Sequence, residues 1–335
     1  MNDESPEVNG PPIDQYPDLS GLDIQAMVGS VLNWDYSSKN ERLRTLYERN
    51  KIAQWNVSTT IDWSIPVEFG SPLKVLESPG KGPFSEALAR LIPRDRWDTF
   101  RWEYQAWMVN QFLHGEQGAL VATGRLTETV PDVESKLYAA VQVSDEARHV
   151  EAYARYVNEK LRVTYPITPG LGSLLTNILQ ESRWDIVYLG MQVIVEGLAL
   201  VATRIASTSF NDPIVRDISK YVARDEARHI AFGLLSLKGL YKDLTSAELA
   251  DRDEFLAEAL LLMSRRFLLE DVWLKMGVPV ADGVDYAKNY PGMVAFRNLL
   301  FQKVVQILRE VDLLTPRLRH LLVEQKLATP RAVAA

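Results

Sequence analysis

The peptide Asp-Glu-Ala-Arg-His occurs twice in this 335-residue chain, as Asp145–His149 and again as Asp225–His229. Each copy contains Glu-x-x-His. On a helix that spacing puts one carboxylate and one imidazole on a common face, because residues three apart stack one turn above the other. A lone Glu-x-x-His arises readily by chance. Here each copy also has a glutamate 30 residues upstream: Glu116 precedes Glu146, and Glu196 precedes Glu226. Every equivalent pair (Glu116 and Glu196, Glu146 and Glu226, His149 and His229) is offset by 80 residues. Such a spacing suits half a helix, a short turn and half of an antiparallel return helix, so ligands near the middle of both helices meet at one height.

The surrounding sequence reads as helix almost throughout. Short helices are expected near Ile24–Trp34 and Asn40–Gln54, then a loop-rich layer from Asn56 to Pro83. A long helix is expected from about Arg94 to Thr129, stopped by Pro131, and a second from about Asp132 to Arg162, stopped by Pro166. A short helix near Leu171–Gln180 precedes a third long one, Trp184 to about Thr208. Asp212 caps the fourth, with Pro213 at its first position, and the pattern runs to about Tyr241. Thr245 starts a fifth that reaches Lys275, and a last helix or pair covers Met293 to Lys326. No stretch sustains the alternation of a strand. The expected architecture is all-α: one domain over residues 24–328, with the repeat at its centre in 94–241 and flanking helices around it. A flexible lead (1–23), acidic and rich in Pro and Gly, comes before it, and a frayed Ala-rich tail (329–335) after it. The lead lacks the basic start and apolar run of a signal peptide. Apolar stretches such as Gly197–Ala202 and Ala259–Met263 are too short to span a membrane.

The six repeated residues are four carboxylates and two imidazoles. Four carboxylates neutralise two divalent cations, and hard oxygen donors suit Fe or Mn better than Zn or Cu. Four such groups buried together without cations would be very costly. Only four histidines occur in the chain, and two of them fall in the repeat. The absence of cysteine removes disulfides, Fe–S clusters and zinc-thiolate sites. A net charge of −7 argues against nucleic acid as a partner.

The neighbours of the ligands suggest supporting roles. A metal-bound histidine normally gives its other N–H to a carboxylate. In a pseudo-two-fold bundle Asp145 should therefore reach His229 and Asp225 should reach His149, with Arg148 and Arg228 balancing the aspartates. Gln142 and Gln192 each lie four residues before a ligand glutamate, within hydrogen-bonding reach of the site. Steps of three, four and seven from the upstream glutamates give Ala119, Leu120 and Thr123, and Ala199, Leu200 and Thr203, either a pocket lining or ordinary bundle packing. Tyr153 falls on the ligand face, one turn after His149, where the other half has Gly233. It reads as packing or hydrogen bonding beside the site, with a radical role as the alternative. His114 lies about 200° around the helix from Glu116 and reads as a non-ligand. Glu103 and Glu134 break the 80-residue symmetry and read as surface residues.

Glu116, Glu146-x-x-His149, Glu196 and Glu226-x-x-His229 resemble the ligand set of the ferritin-like di-iron oxygenases, four-helix bundles in which two helices give one Glu and two give Glu-x-x-His. The region that carries the resemblance, about Arg94 to Tyr241, is somewhat under half the chain. The Asp-Glu-x-Arg-His form is similar to that of bacterial multicomponent hydroxylases. Val195-Glu196-Gly197 and the spacing of Tyr153 are similar to the small subunit of ribonucleotide reductase. The Gly-Glu-Gln-Gly-Ala setting of Glu116 departs from that subunit, and so does a tail, Lys326 to Ala335, without tyrosine. Val222 stands where the N-oxygenases carry an extra histidine. The resemblance implies two Fe ions, with Mn/Fe as the alternative pair. It also implies O2 and a small organic substrate, and hydroxylation, N-oxygenation or desaturation. Electrons would come from an external ferredoxin or reductase, because no flavin or nicotinamide motif is visible. It further implies a cytoplasmic homodimer without nucleic-acid or membrane partners. The runner-up readings are a radical-generating subunit and ferritin-like iron oxidation or storage.

Overall fold

The computed structural model describes residues 24–34, 40–70 and 86–334, and every regular element among them is a helix. Helices α1 (Glu41–Ile52), α2 (Val57–Thr60) and α3 (Glu86–Leu91) precede the first long helix, α4 (Trp97–Thr129). Helix α5 (Val133–Tyr156) returns along α4 and ends in a π-helical turn, Val157–Leu161. After α6 (Pro169–Gln180), the third long element runs without a break through α7 (Trp184–Tyr188), a π-helical stretch (Leu189–Val195) and α8 (Glu196–Ser209). Helix α9 (Pro213–Leu237) returns along it. The two antiparallel pairs meet where α5 faces α9, and α1 lies across both of those helices. Then follow α10 (Ser246–Arg266), α11 (Glu270–Lys275), α12 (Val280–Asn289), α13 (Pro291–Glu310), α14 (Pro316–Glu324) and α15 (Pro330–Ala334). Helix α10 packs on α6, and α13 packs on α8.

Capping explains why the return helices start where they do. Asp132 accepts from Ser135 N at 2.8 Å, and Asp212 accepts from Ile214 N at 2.8 Å. Each side chain satisfies a backbone donor that has no partner within the helix. These caps are themselves 80 residues apart, so the repeat extends to the turns. Gly118 lets α6 close on α4, since a Cβ there would stand 2.5 Å from Leu175. The element Trp184–Ser209 is long and apolar enough to cross a membrane, with a window of mean hydropathy 1.8, but 89% of that window is buried inside the protein. It is a core helix of this bundle.

Several expectations need correction. Residues 24–34 are not helical. They run past the α4–α5 turn, where Val31 N donates to Glu128 O and Asn33 Nδ2 to Pro131 O. Met27, Leu32 and Trp34 are exposed, so a helix there would have no face to bury. The helix expected over Thr245–Lys275 breaks after Arg266, where Leu269 takes φ +60° and α11 starts afresh. The segment Val280–Asn289 is helical although no helix is expected there. The Ala-rich tail forms α15, with Val333 buried and Ala332 O accepting from Arg309 Nη2 at 2.7 Å. The lead at 1–23 and part of the loop-rich layer, 71–85, lie outside the described residues.

Candidate metal centre

Helices α4 and α8 each bring one glutamate, and α5 and α9 each one Glu-x-x-His, to a common depth in the bundle. Glu116, Glu146, His149 and Glu226 offer ligand atoms within 4.8 Å of one another, and Glu146, Glu196 and His229 form a second such group. All of these side chains are buried. His149 Nδ1 lies 3.1 Å from Glu116 Oε2, 3.3 Å from Glu146 Oε2 and 3.7 Å from Glu226 Oε1. His229 Nδ1 lies 3.1 Å from Glu196 Oε2, 3.2 Å from Glu146 Oε1 and 3.7 Å from Glu226 Oε2. Glu146 and Glu226 thus turn one oxygen to each ring, while Glu116 and Glu196 serve one ring each.

One N–H satisfies one acceptor, yet three carboxylate oxygens converge on each Nδ1. Separations of about 3 Å are those of neighbouring donors on an octahedron with bonds of about 2.1 Å. Glu146 Oε2 and Glu226 Oε2 are buried without a hydrogen-bond donor. Burial pushes the Glu226 carboxyl well up and raises Glu196, with neighbouring carboxylates adding to both; Glu116 is pushed up to about 8. Burial alone would lower both imidazoles, but the facing glutamates outweigh it and hold them well above their ordinary value. Burial also opposes ionisation of Glu146, but the two rings hold it below the usual range. Without cations the cluster balances its charge only by taking up protons. The donor set fits two divalent ions.

The other edge of each ring is fixed from the opposite half. His149 Nε2 donates to Asp225 Oδ2 and His229 Nε2 to Asp145 Oδ2, both at 3.1 Å. This turns each Nδ1 edge toward the glutamates. Arg148 pairs with Asp145, and Arg228 with Asp225. Burial would raise both aspartates, yet their bonds to the imidazoles hold them below the carboxylate range. Helix α1 and the residues just after it complete the network. Asn50 Nδ2 donates to Asp145 Oδ2 at 2.7 Å, Gln54 Nε2 to Asp145 Oδ1 at 3.0 Å, and Trp55 Nε1 to Asp225 Oδ2 at 2.8 Å. Arg228 Nε donates to Asn50 Oδ1 at 2.8 Å. Asn50, Gln54 and Trp55 are missed in the sequence because they precede the repeat and have no duplicate to flag them.

The remaining expected residues divide. Gln142 Nε2 donates to Glu146 Oε1 at 3.0 Å and to Glu196 Oε1 at 2.8 Å. Gln192 does not reach the site: it lies in the π-helical stretch, where four residues no longer make one turn, and both polar atoms of its amide lack partners. Tyr153 is fully buried, with Phe112 at 5.6 Å between ring centroids. Burial, with Glu116 beside it, keeps its phenol well above pKa 10, and its Oη makes no hydrogen bond. Ser219 is near, but the pair does not meet hydrogen-bond geometry. His114 turns away and bonds Tyr165 O at 2.9 Å. Glu103 and Glu134 are buried and not at the surface; Glu103 accepts from Tyr165 Oη at 2.7 Å and pairs with Lys275 at 3.0 Å.

A cavity of about 30 Å3 opens beside Glu116, Glu196 and Glu226. Ala119 and Ala199 line it, but Leu120, Thr123, Leu200 and Thr203 do not. Leu200 lines a different groove, between α8 and α13, and Thr203 Oγ1 bonds back to Ala199 O at 2.7 Å. The lining positions Gly115 and Ala119, and Val195 and Ala199, are one before and three after the ligand glutamates. They lie about 60–100° to one side of the ligand direction, whereas steps of four and seven fall close to it. Arg266 and Phe267, from the end of α10, also line the cavity and carry no sequence signal.

No family model and no curated protein matches the chain. Among solved structures it is similar to a Synechococcus protein with aldehyde deformylating oxidase activity, at 17% identity over 67% of this chain and 97% of that one, with a TM-score of 0.46. It is also similar to variants of an R2-like ligand-binding oxidase. One, with an aerobically reconstituted Mn/Fe cofactor, is 18% identical over 90% of this chain and 95% of that one, with a TM-score of 0.43. Another, with a non-activated Mn/Mn cofactor, is 16% identical over 83% and 94%, with a TM-score of 0.48. Likenesses at this level assign no residue or activity to this chain.

Proposed function

We propose that this protein is an oxidoreductase whose Glu116, Glu146, His149, Glu196, Glu226 and His229 hold two Fe ions, or an Mn/Fe pair, for the activation of O2 against a small organic substrate. The observation that carries the reading is the convergence of three carboxylate oxygens on each histidine Nδ1, with Glu146 and Glu226 shared between the two. Such a pair, when bound, supplies two electrons to O2 at one place. The residues of the chain do the rest. Asp145 and Asp225 hold the imidazole N–H bonds outward, and Gln142 steadies Glu146 and Glu196. The cavity beside Glu116, Glu196 and Glu226 gives a substrate its place next to the cluster. Electrons return from an external ferredoxin or reductase, since the chain has no cysteine for an Fe–S cluster. The reaction classes in keeping with this are hydroxylation, N-oxygenation and desaturation.

The test is anaerobic loading of the purified protein with Fe(II), metal analysis, and stopped-flow absorbance on mixing with O2. Two ions per chain and rapid O2-dependent oxidation are expected. A stoichiometry near one, or ligation that bypasses Glu116, overturns the assignment. A stable tyrosyl signal by EPR, lost in Tyr153→Phe together with all activity, would favour the radical-subunit reading instead. Against that reading stands the Tyr153 hydroxyl, which has no hydrogen-bonded group to take its proton.

A further inference from the structure

We infer that Arg266 anchors a carboxylate, and that the cavity beside the glutamate cluster takes a small organic monocarboxylate with an apolar body. Arg266 ends α10 and is buried. Its Nη2 donates to Gln111 O at 2.7 Å, and its Nε is buried without a partner. No carboxylate among the described residues lies within 4.0 Å of its guanidinium. The other deeply buried arginines differ. Arg101 pairs with Asp98, and Arg252 pairs with Asp185 at 3.0 Å. Arg297 also lacks an acid, but it donates to Lys288 O and lines no part of this cavity. Among the described residues Arg266 is therefore the one cation in the lining, in a recess whose apolar walls include Phe112, Ala119, Val195, Leu198, Ala199 and Phe267.

The charge balance points the same way, and here the inference rests on the metal-centre reading. Four glutamates offset two divalent ions, Arg148 offsets Asp145, and Arg228 offsets Asp225. Arg266 is left over. Burial lowers its guanidinium to about 10, with the nearby Glu116 opposing the shift, so it stays charged near neutrality, and with Glu116 taken up by the cations no other carboxylate among the described residues balances it. A buried cation without an anion is costly, and one carboxylate removes that cost. The planar guanidinium presents parallel N–H groups that match the two oxygens of a carboxylate. A single arginine in an apolar recess suits a monoanion better than a phosphate dianion. The enclosed 30 Å3 holds only a water or two, so an organic ligand would extend through the open mouth of the recess. A short chain or a single ring, held by its carboxylate at Arg266, would lay its apolar body along Ala119, Ala199 and Ala202.

The experiment is isothermal titration calorimetry on the full-length, metal-loaded protein under anaerobic conditions, with metal content measured on the same sample. Hexanoate and benzoate are compared with hexanamide and benzamide. Each acid should bind at least ~10-fold more tightly than its amide, as expected when a charge-assisted pair replaces a neutral one. Arg266→Met should abolish that preference, and Arg266→Lys should keep only part of it. Ala202→Phe, which leaves the arginine in place, should weaken acid and amide alike. If Arg266→Met does not fold, as judged by circular dichroism, the last two variants carry the test. Equal binding of acid and amide overturns the inference, as does no binding at millimolar concentration. Undiminished acid binding by Arg266→Met also overturns it, because the carboxylate would then sit on the metals. Should the protein take up no metal yet show the arginine-dependent preference, the anchor stands and the metal-centre reading falls.

Discussion

In the first half of the repeat Tyr153 follows His149 by four residues and packs against Phe112. In the second half the same two positions are Gly233 and Gln192, and a Cβ on that glycine would stand 2.6 Å from the Cβ of Gln192. The upstream helix of the first half, α4, is α-helical throughout, whereas its counterpart passes through seven π-helical residues before reaching Glu196. Gln142, which donates to Glu146 and Glu196, has Val222 as its counterpart. The six proposed ligands keep one pattern because, in the proposed role, each must offer the same donor in the same direction. Side chains behind them answer only to packing, so they diverge. The consequence is two inequivalent positions: one beside Tyr153 and Arg266, the other beside an amide. Helix α1 and the residues just after it deepen the difference, giving Asp145 two amide donors and Asp225 one indole N–H.

The largest expected effect comes from a residue that belongs to both positions. Glu146→Ala removes an oxygen from each, so both ions should be lost together, with affinity down by ~100-fold or more, whereas Glu116→Ala or Glu196→Ala should cost chiefly one. Metal analysis after dialysis compares them. If Glu146→Ala retains one ion as firmly as Glu116→Ala does, the sharing is wrong. A smaller effect is expected from the aspartates. Asp225→Asn should weaken the ion at His149 and Asp145→Asn the ion at His229, each by ~10–100-fold, the usual loss when a histidine's outer partner is altered. Anomalous diffraction, reading occupancy at each position, should show this crossed pattern. Loss on the aspartate's own half would contradict it. The smallest effect belongs to Tyr153→Phe. Deleting a buried hydroxyl that has no partner should leave metal content unchanged and raise stability by up to ~1 kcal/mol, seen as a slightly higher melting temperature. Activity should stay within roughly tenfold. A fall in stability would mean that the hydroxyl is bonded after all.

Much of the centre was legible because the duplication acts as an internal control. One Glu-x-x-His is noise, but two at a constant offset, with their upstream glutamates, mark the helices, their antiparallel pairing and the depth at which they meet. The crossing of Asp145 to His229 and of Asp225 to His149 follows from the same pseudo-symmetry. The reading failed wherever the structure departs from that symmetry or from ideal α-helical spacing. Gln192 was misplaced by the π-helical stretch, which shifts every residue before it around the helix axis. Four of the six expected pocket residues miss the cavity because it opens toward the side one before and three after each glutamate.

The sequence by itself determined an all-helical chain, the six donors and the pairing of histidine with aspartate, because periodicity and repetition are local properties that a linear string records. Only the tertiary structure decided what stands around them. Asn50 comes from α1 and Gln54 and Trp55 from the residues just after it, before the repeat, and Arg266 comes from the end of α10, after it. Their partners lie about 91 to 178 residues away along the chain, and no spacing rule reaches so far; only packing brings them together.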